Sequence, residues 1–82
     1  MNGFNFEMER KMAEVYKARY PKGTRVELVR MGDDPRPIPA GTRGTVELVD
    51  DMGTVHVNWD NGRRLGMVIG EDAIAIVMEA DR

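Results

Sequence analysis

The stretch from Gly41 to Gly66 constrains this chain more than any other. Gly41-Thr42-Arg43-Gly44-Thr45-Val46 opens a strand, and Asp50-Asp51-Met52-Gly53 turns it back. Val55-His56-Val57-Asn58-Trp59 then alternates apolar and polar residues before Asp60-Asn61-Gly62 turns the chain again toward Leu65-Gly66. Alternation with period two marks a half-buried strand, and Asn-Gly marks a hairpin turn because both residues tolerate positive φ. Two successive hairpins around one central strand predict a small, curled antiparallel sheet.

The rest of the chain carries the same punctuation. From Gly23 onward glycines recur at a spacing of about nine residues, which is that of short strands joined by turns in an all-β domain. Residues 24–30 are expected to form the first strand, with Val26 and Leu28 on one face and Arg25 and Glu27 on the other. Residues 31–40 hold Pro35, Pro37 and Pro39, too many for a ladder strand, and are expected to be a long extended loop. Strands are expected at 45–49 with Val46 and Leu48 inward, and at 54–59 with Val55, Val57 and Trp59 inward and His56 and Asn58 outward. Two more follow at 64–69 and 73–77. Five short, twisted strands normally curl into a barrel, which removes the edges of an open sheet. The long first loop and tight later hairpins fit an SH3-like barrel better than an OB-fold. The expected fold is mainly β: a five-stranded SH3-like barrel over residues 21–78, one α-helix over 1–20 before it, and a frayed tail at 79–82.

The helix is read from Phe4, Met8, Met12, Val15 and Arg19, spaced by fours and threes, so that four apolar groups share one stripe. Tyr16 and Tyr20 widen it. Asn5 is the expected N-cap, Glu7 and Glu9 place negative charge in the first turn, and Pro21 and Gly23 stop the helix. The stripe of Phe4, Met8, Met12, Val15 and Tyr16 is too apolar to leave wet. It covers either the sheet of its own chain, the expected arrangement, or a partner, in which case it is the partner-helix face.

Composition narrows the function. Eighty-two residues make one domain, and a chain this short buries only about 60% of its unfolded surface. There is no Cys and no Ser, so thiolate ligands, disulfides and the commonest nucleophiles are missing. No cofactor is expected, and no catalysis. No apolar run approaches the length of a membrane span and the amino terminus does not read as a signal peptide, so the expected setting is cytoplasmic with no membrane partner. Residues 1–20 hold four Lys/Arg against three Asp/Glu, whereas residues 21–82 hold eight against eleven. An acidic body disfavours nucleic acid, whose non-specific affinity comes from phosphate neutralisation.

Trp59, the only Trp, reads as core rather than as a stacking platform, because it shares a face with Val55 and Val57. Asp60 reads as a turn residue bonding its own backbone, and Gly41, Gly44 and Gly62 as structural. His56 is the only histidine and makes no zinc site without Cys or a second His. Asp33-Asp34, Asp50-Asp51 and Glu71-Asp72 read as solvated turns rather than as a cation site, since none has EF-hand spacing. Beyond Lys22 every cation is arginine, whose fork suits phosphate or carboxylate. Arg25, Arg43, Arg63 and Arg64 lie near strand starts or turns, where they form either a ligand or nucleic-acid patch or scattered solvating charge.

Together the segments from Tyr20-Pro21-Lys22-Gly23-Thr24-Arg25 through Pro39-Ala40-Gly41-Thr42-Arg43-Gly44-Thr45-Val46, Val57-Asn58-Trp59-Asp60-Asn61-Gly62 and Gly70-Glu71-Asp72 resemble a small bacterial domain of unknown function, common on phage and other mobile elements of Gram-positive bacteria. The resemblance runs from about Tyr20 to Val77. More distantly, the 41–46 segment resembles the turn of KOW-type barrels, which bind RNA or protein, and the 57–62 segment resembles the mind-bomb-type barrel repeats, which bind peptide. These resemblances support the barrel and leave its ligand open. Taken with the missing nucleophiles and the acidic body, the expected role is a non-catalytic protein- or peptide-interaction module, monomeric or weakly dimeric, with an RNA- or DNA-binding barrel as the alternative.

Overall fold

The fold is described from a computed structural model, for the backbone of residues 2–78 and the side chains of residues 7–78. The frayed tail expected at 79–82 lies outside the described residues, as does the side chain of Phe4. One helix, α1 (Asn2–Arg19), precedes five strands: β1 (Arg25–Arg30), β2 (Arg43–Val49), β3 (Thr54–Trp59), β4 (Arg64–Val68) and β5 (Ala73–Ile76). They form a single antiparallel sheet in the order β4-β3-β2-β1-β5. The chain thus meanders through β1 to β4 and returns to lay β5 along the other side of β1. The expected mainly-β class and the five strands are present.

Period-two alternation builds the core. Val26 and Leu28 of β1, Val46 and Val49 of β2, Val55, Val57 and Trp59 of β3, and Met67 of β4 are all buried in one cluster. The curl lets these faces enclose it. Ile38, from the proline-rich loop between β1 and β2, plugs the same cluster, and its N–H bonds Met31 Sδ. At the crossing of β2 and β3 the strands approach so closely that a side chain at Gly44 would meet Val57 Cγ1 at 2.6 Å and the Asn58 carbonyl at 2.8 Å. Only glycine fits there.

Three expectations change. Leu48 was expected inside beside Val46 but is exposed. The register runs Val46↔Val57 and then Leu48↔His56, so Glu47 is an extra residue in a β-bulge. The bulge inverts the faces, sending Leu48 out and Val49 in. Helix α1 begins at Asn2, so Asn5 is not its N-cap and its first turn carries no acid. Asn61 does not take positive φ: among the described residues only glycines do, and Gly62 (+94°) alone supplies the left-handed step of its turn.

The largest change concerns the face on which α1 docks. Its buried side is Ala13, half-buried Tyr16 and, just past its end, Tyr20, not the expected stripe. Met8 (52% exposed), Met12 (41%) and Val15 (46%) face water. The reason is local. Gly53, at the end of the β2–β3 turn, offers bare backbone, and the backbone of Ala13, itself buried, lies against it. A side chain at Gly53 would come within 3.7 Å of Ala13 Cα and 3.6 Å of Tyr16 Cδ2. Tyr16 and Tyr20 pack as a tilted pair, ring centroids 6.4 Å apart. Lys17 reaches Asp51 at 2.6 Å across the same contact.

Candidate functional site

Two surfaces gather the residues that the sequence singled out. The first is the outer face of the sheet. Its register lines up Arg25↔Thr45, Thr45↔Asn58 and Asn58↔Arg64, so one row of outward residues crosses four strands, with an arginine at each end. Arg43 stands next to it, opposite Glu27. Three of the four expected arginines therefore share this face. Arg63 does not, because its guanidinium donates to the Arg36 carbonyl in the long loop.

The forks on this face are largely engaged. Arg25 grips both carboxylate oxygens of Asp60, at 2.9 and 2.8 Å, and its Nη1 also donates to Thr45 Oγ1 at 3.0 Å. Arg43 Nε donates to Glu27 Oε1 at 3.1 Å. A guanidinium held bidentately by a carboxylate has spent the geometry with which it would take a phosphate. Asp60 therefore plays a different part from the one expected. Its carboxylate is held by Arg25 of a distant strand, and this hydrogen bond, against the opposing effect of burial and with the further pull of Arg25 and Arg43, keeps its pKa below the ordinary aspartate value. Trp59 is buried beneath this turn, with its Nε1 donating to the Leu65 carbonyl at 3.3 Å. Its ring is out of reach of any base or peptide.

The second surface is the outer side of α1 and the groove at its foot. Met8, Met12 and Val15 form a continuous apolar strip, and exposed Lys11 and Arg19 lie on the same half of the helix. On the helix's other flank a shallow groove of about 260 Å³ runs between Arg10, Ala13, Glu14 and Lys17 and the turn residues Asp51 and Met52. The Lys17–Asp51 contact holds the Asp51 carboxyl below its ordinary pKa and raises the Lys17 amine above its own. Tyr16 belongs to the docked side, so it drops out of the candidate partner face; the Phe4 side chain lies outside the described residues.

The acidic turns serve the fold. Asp50 Oδ1 accepts the N–H groups of Met52 and Thr54, each at 3.0 Å, and His56 Nε2 donates to Asp50 Oδ2 at 2.9 Å. Asp72 departs furthest from a solvated turn residue. It is 9% exposed, and its oxygens accept the N–H groups of Gly32 at 2.7 Å and Val68 at 2.8 Å. One carboxylate thus ties the long loop to the end of β4. Among the described residues no three His, Asp or Glu side chains gather as metal ligands would, and no helix is long and apolar enough to cross a membrane.

Residues 9–77 match the model of one protein family, described as a domain of unknown function (DUF4314), and the chain belongs to that family. The match begins well inside α1, so the family unit includes Ala13, Tyr16 and Lys17 as well as the sheet, more than the Tyr20–Val77 span expected from the motifs. A search of curated proteins finds no match.

Proposed function

We propose that this member of the family is a non-catalytic interaction module that binds a partner protein through the outer side of α1. One observation carries the reading: the helix is fastened to the sheet by Ala13 and Tyr16 and turns Met8, Met12 and Val15 to water. Large apolar side chains in a row on a fastened helix are a ready surface for a second polypeptide, and methionine adapts its shape to an irregular partner. Lys11 and Arg19 beside the strip favour a partner whose apolar surface carries carboxylates. The nucleic-acid alternative is weaker, because Arg25 and Arg43 already serve carboxylates of their own chain. A cytoplasmic setting, and service to a phage or mobile element, belong to the proposal on the strength of composition and of the motif resemblance.

The test is a displayed peptide library selected on the wild-type protein, followed by titration of the recovered sequences against Met12→Asp/Val15→Asp. Both positions are exposed, so the double variant is expected to stay folded. Recovered peptides are expected to combine apolar residues with Asp or Glu and to lose at least about tenfold in affinity, the size of effect a central apolar contact supplies. Peptides that bind the double variant as well as the wild type would remove the helix from the interface.

A further inference from the structure

Sulfur in this chain is all thioether: there is no cysteine, and seven methionines stand among 82 residues. Methionine is one of the residue types most often buried. Of the six whose side chains are described, all but Met1, two follow that rule. Met67 is fully enclosed in the core, and Met31 packs half-buried against it, its sulfur accepting the Ile38 N–H at 3.2 Å. The other four, Met8, Met12, Met52 and Met78, are each at least 41% exposed.

The helix sets two of these four together. Met8 and Met12 are four residues apart on α1, so they stand one above the other on the same side, and Val15 continues the strip. The docking contact lies elsewhere, at Ala13 against Gly53, with Tyr16 and the Lys17–Asp51 pair beside it. A chemical change at either exposed sulfur therefore alters the strip and leaves the helix fastened. Met67 is the opposite case, because an atom added to its sulfur would have to enter a close-packed core. A peroxide makes such a change. The sulfur lone pair takes one peroxide oxygen as the O–O bond breaks; the sulfur loses two electrons, and hydrogen peroxide is reduced and leaves as water. The sulfoxide is polar where the thioether was apolar, and sulfoxide reductases return it to the thioether. With no thiol in the chain, the exposed thioethers are the sulfurs that such an oxidant meets.

We infer that Met8 and Met12 form a reversible sulfoxidation site, at which a peroxide turns the α1 strip polar and so releases the partner. This rests on the reading that the strip binds a polypeptide, and it gives methionine at the strip a second use. Leucine would supply the same kind of apolar contact, but it has no sulfur to oxidise. Two of the three apolar groups of the strip change together. A sulfoxide oxygen pressed against an apolar partner is a buried acceptor left without a donor, which opposes binding. The free protein is the form that reacts, since a bound partner covers both sulfurs.

The test treats the full chain with excess hydrogen peroxide and maps the added oxygen, methionine by methionine, by mass spectrometry. Met8, Met12, Met52 and Met78 are expected to gain one oxygen each well before Met31 and Met67, with the fold retained at that stage. Methionine-free peptides selected from the displayed library on the unmodified protein are the probe. They are expected to bind the oxidised protein at least about tenfold more weakly, the effect of burying a polar group without a partner. Sulfoxide reductases should restore the affinity. Met8→Leu/Met12→Leu keeps size and apolarity, so it is expected to bind as the wild type does and to keep its affinity after peroxide, although Met52 and Met78 are still oxidised. Peptide bound beforehand should slow oxidation at Met8 and Met12 and leave its rate at Met52 and Met78 as it was. Oxidation of Met8 and Met12 no faster than that of Met67 would overturn the inference without any peptide. Peptides that are weakened by Met12→Asp/Val15→Asp, yet bind the oxidised and unoxidised proteins equally, would overturn it and leave the helix reading standing. A loss of affinity on oxidation that Met8→Leu/Met12→Leu shares would do the same. Peptides indifferent to Met12→Asp/Val15→Asp would bring down both.

Discussion

The two turns at the ends of β3 have nearly the same backbone, but only the first has an aspartate, Asp50, at its opening position; Asp51 and Asp60, one place later, both reach distant cations. Each turn reverses the chain with an N–H bond three residues back, Gly53 to the Asp50 carbonyl at 3.0 Å and Gly62 to the Trp59 carbonyl at 2.9 Å. Each places its glycine near φ +90°. In the first turn the aspartate is the opening residue, where its side chain can reach forward to the N–H groups of its own turn, and Asp50 does so. In the second the opening residue is Trp59, and Asp60 comes one position later. Its carboxylate projects away from the turn and is caught by Arg25. A shift of one position converts a local cap into a tertiary tie. The locally capped turn is also the one on which α1 rests, through Gly53 and Asp51.

The largest expected effect falls at the Asp60 end. Trp59 is buried in the cluster beneath that turn, and Trp59→Ala should cost about 3–5 kcal/mol, a large part of what so small a domain possesses. Urea unfolding measures it. A variant that keeps its midpoint would show that the turn, not the ring, fastens this end. At the other end Ala13→Glu drives a long charged side chain into the contact with Gly53. Overpacking of this kind costs about 1–3 kcal/mol, and here it should free α1 while the sheet stays folded. Hydrogen exchange should then quicken in residues 50–54 and stay unchanged in residues 60–62. Equal quickening at both turns would mean that the helix braces the whole sheet.

How much of this was legible follows from the same contrast. β3 was fully legible, boundaries included, because period two is written into Val55, Val57 and Trp59. β2 was legible only as far as its bulge. Glu47 is an ordinary strand residue in composition, and what makes it an extra residue is its pairing with a strand that the sequence places elsewhere, so Leu48 was assigned to the face of Val46. The span of α1 was nearly right and its docked face wrong for a related reason. Periodicity weighs large apolar groups, and it pointed to Met8 and Met12, whereas the helix docks through buried Ala13 against Gly53, forty residues away. The spacing Ala13, Tyr16, Tyr20 was available as a signal, but alanine adds little to an apolar stripe. Asp72 was missed because its backbone partners, Gly32 and Val68, come from two distant segments. Of the candidate contacts, the sequence named the arginines but not the carboxylates that engage them.

A smaller effect separates the two turns directly. Asp50→Ala removes the acceptor of two turn N–H groups and of His56, at a net cost of about 1 kcal/mol, the range of losing a cap. The loss should appear as a lower melting temperature with β4 and β5 unaffected. Asp50→Asn keeps one acceptor oxygen and should recover part of it. If Asp50→Ala melts like the wild type, the turn owes its shape to Gly53 alone.

The smallest effect is one of protonation, and it distinguishes the turns by cause. Both aspartates titrate below the ordinary value of about 3.9. At Asp50, burial pushes the pKa upward and is outweighed by the His56 hydrogen bond and the N–H groups of Thr54 and Met52. At Asp60, the Arg25 hydrogen bond is the leading cause, with burial opposing it and the charges of Arg25 and Arg43 assisting. A carboxyl group whose folded pKa is depressed stabilises the fold fully above its unfolded pKa. That contribution is lost as the pH falls through the folded value. The contribution of these two aspartates to stability should therefore be level above about pH 5 and decline below about pH 4. Carboxyl titration by NMR assigns the parts. Arg25→Gln should return Asp60 toward the ordinary range and leave Asp50 where it is; His56→Phe should raise Asp50 and leave Asp60. About 1 M salt, which shortens the screening length to about 3 Å, should weaken the exposed Arg25–Asp60 tie more than the backbone cap. If either substitution moves both aspartates equally, the two turns are coupled through β3, and the separation of local cap from tertiary tie fails.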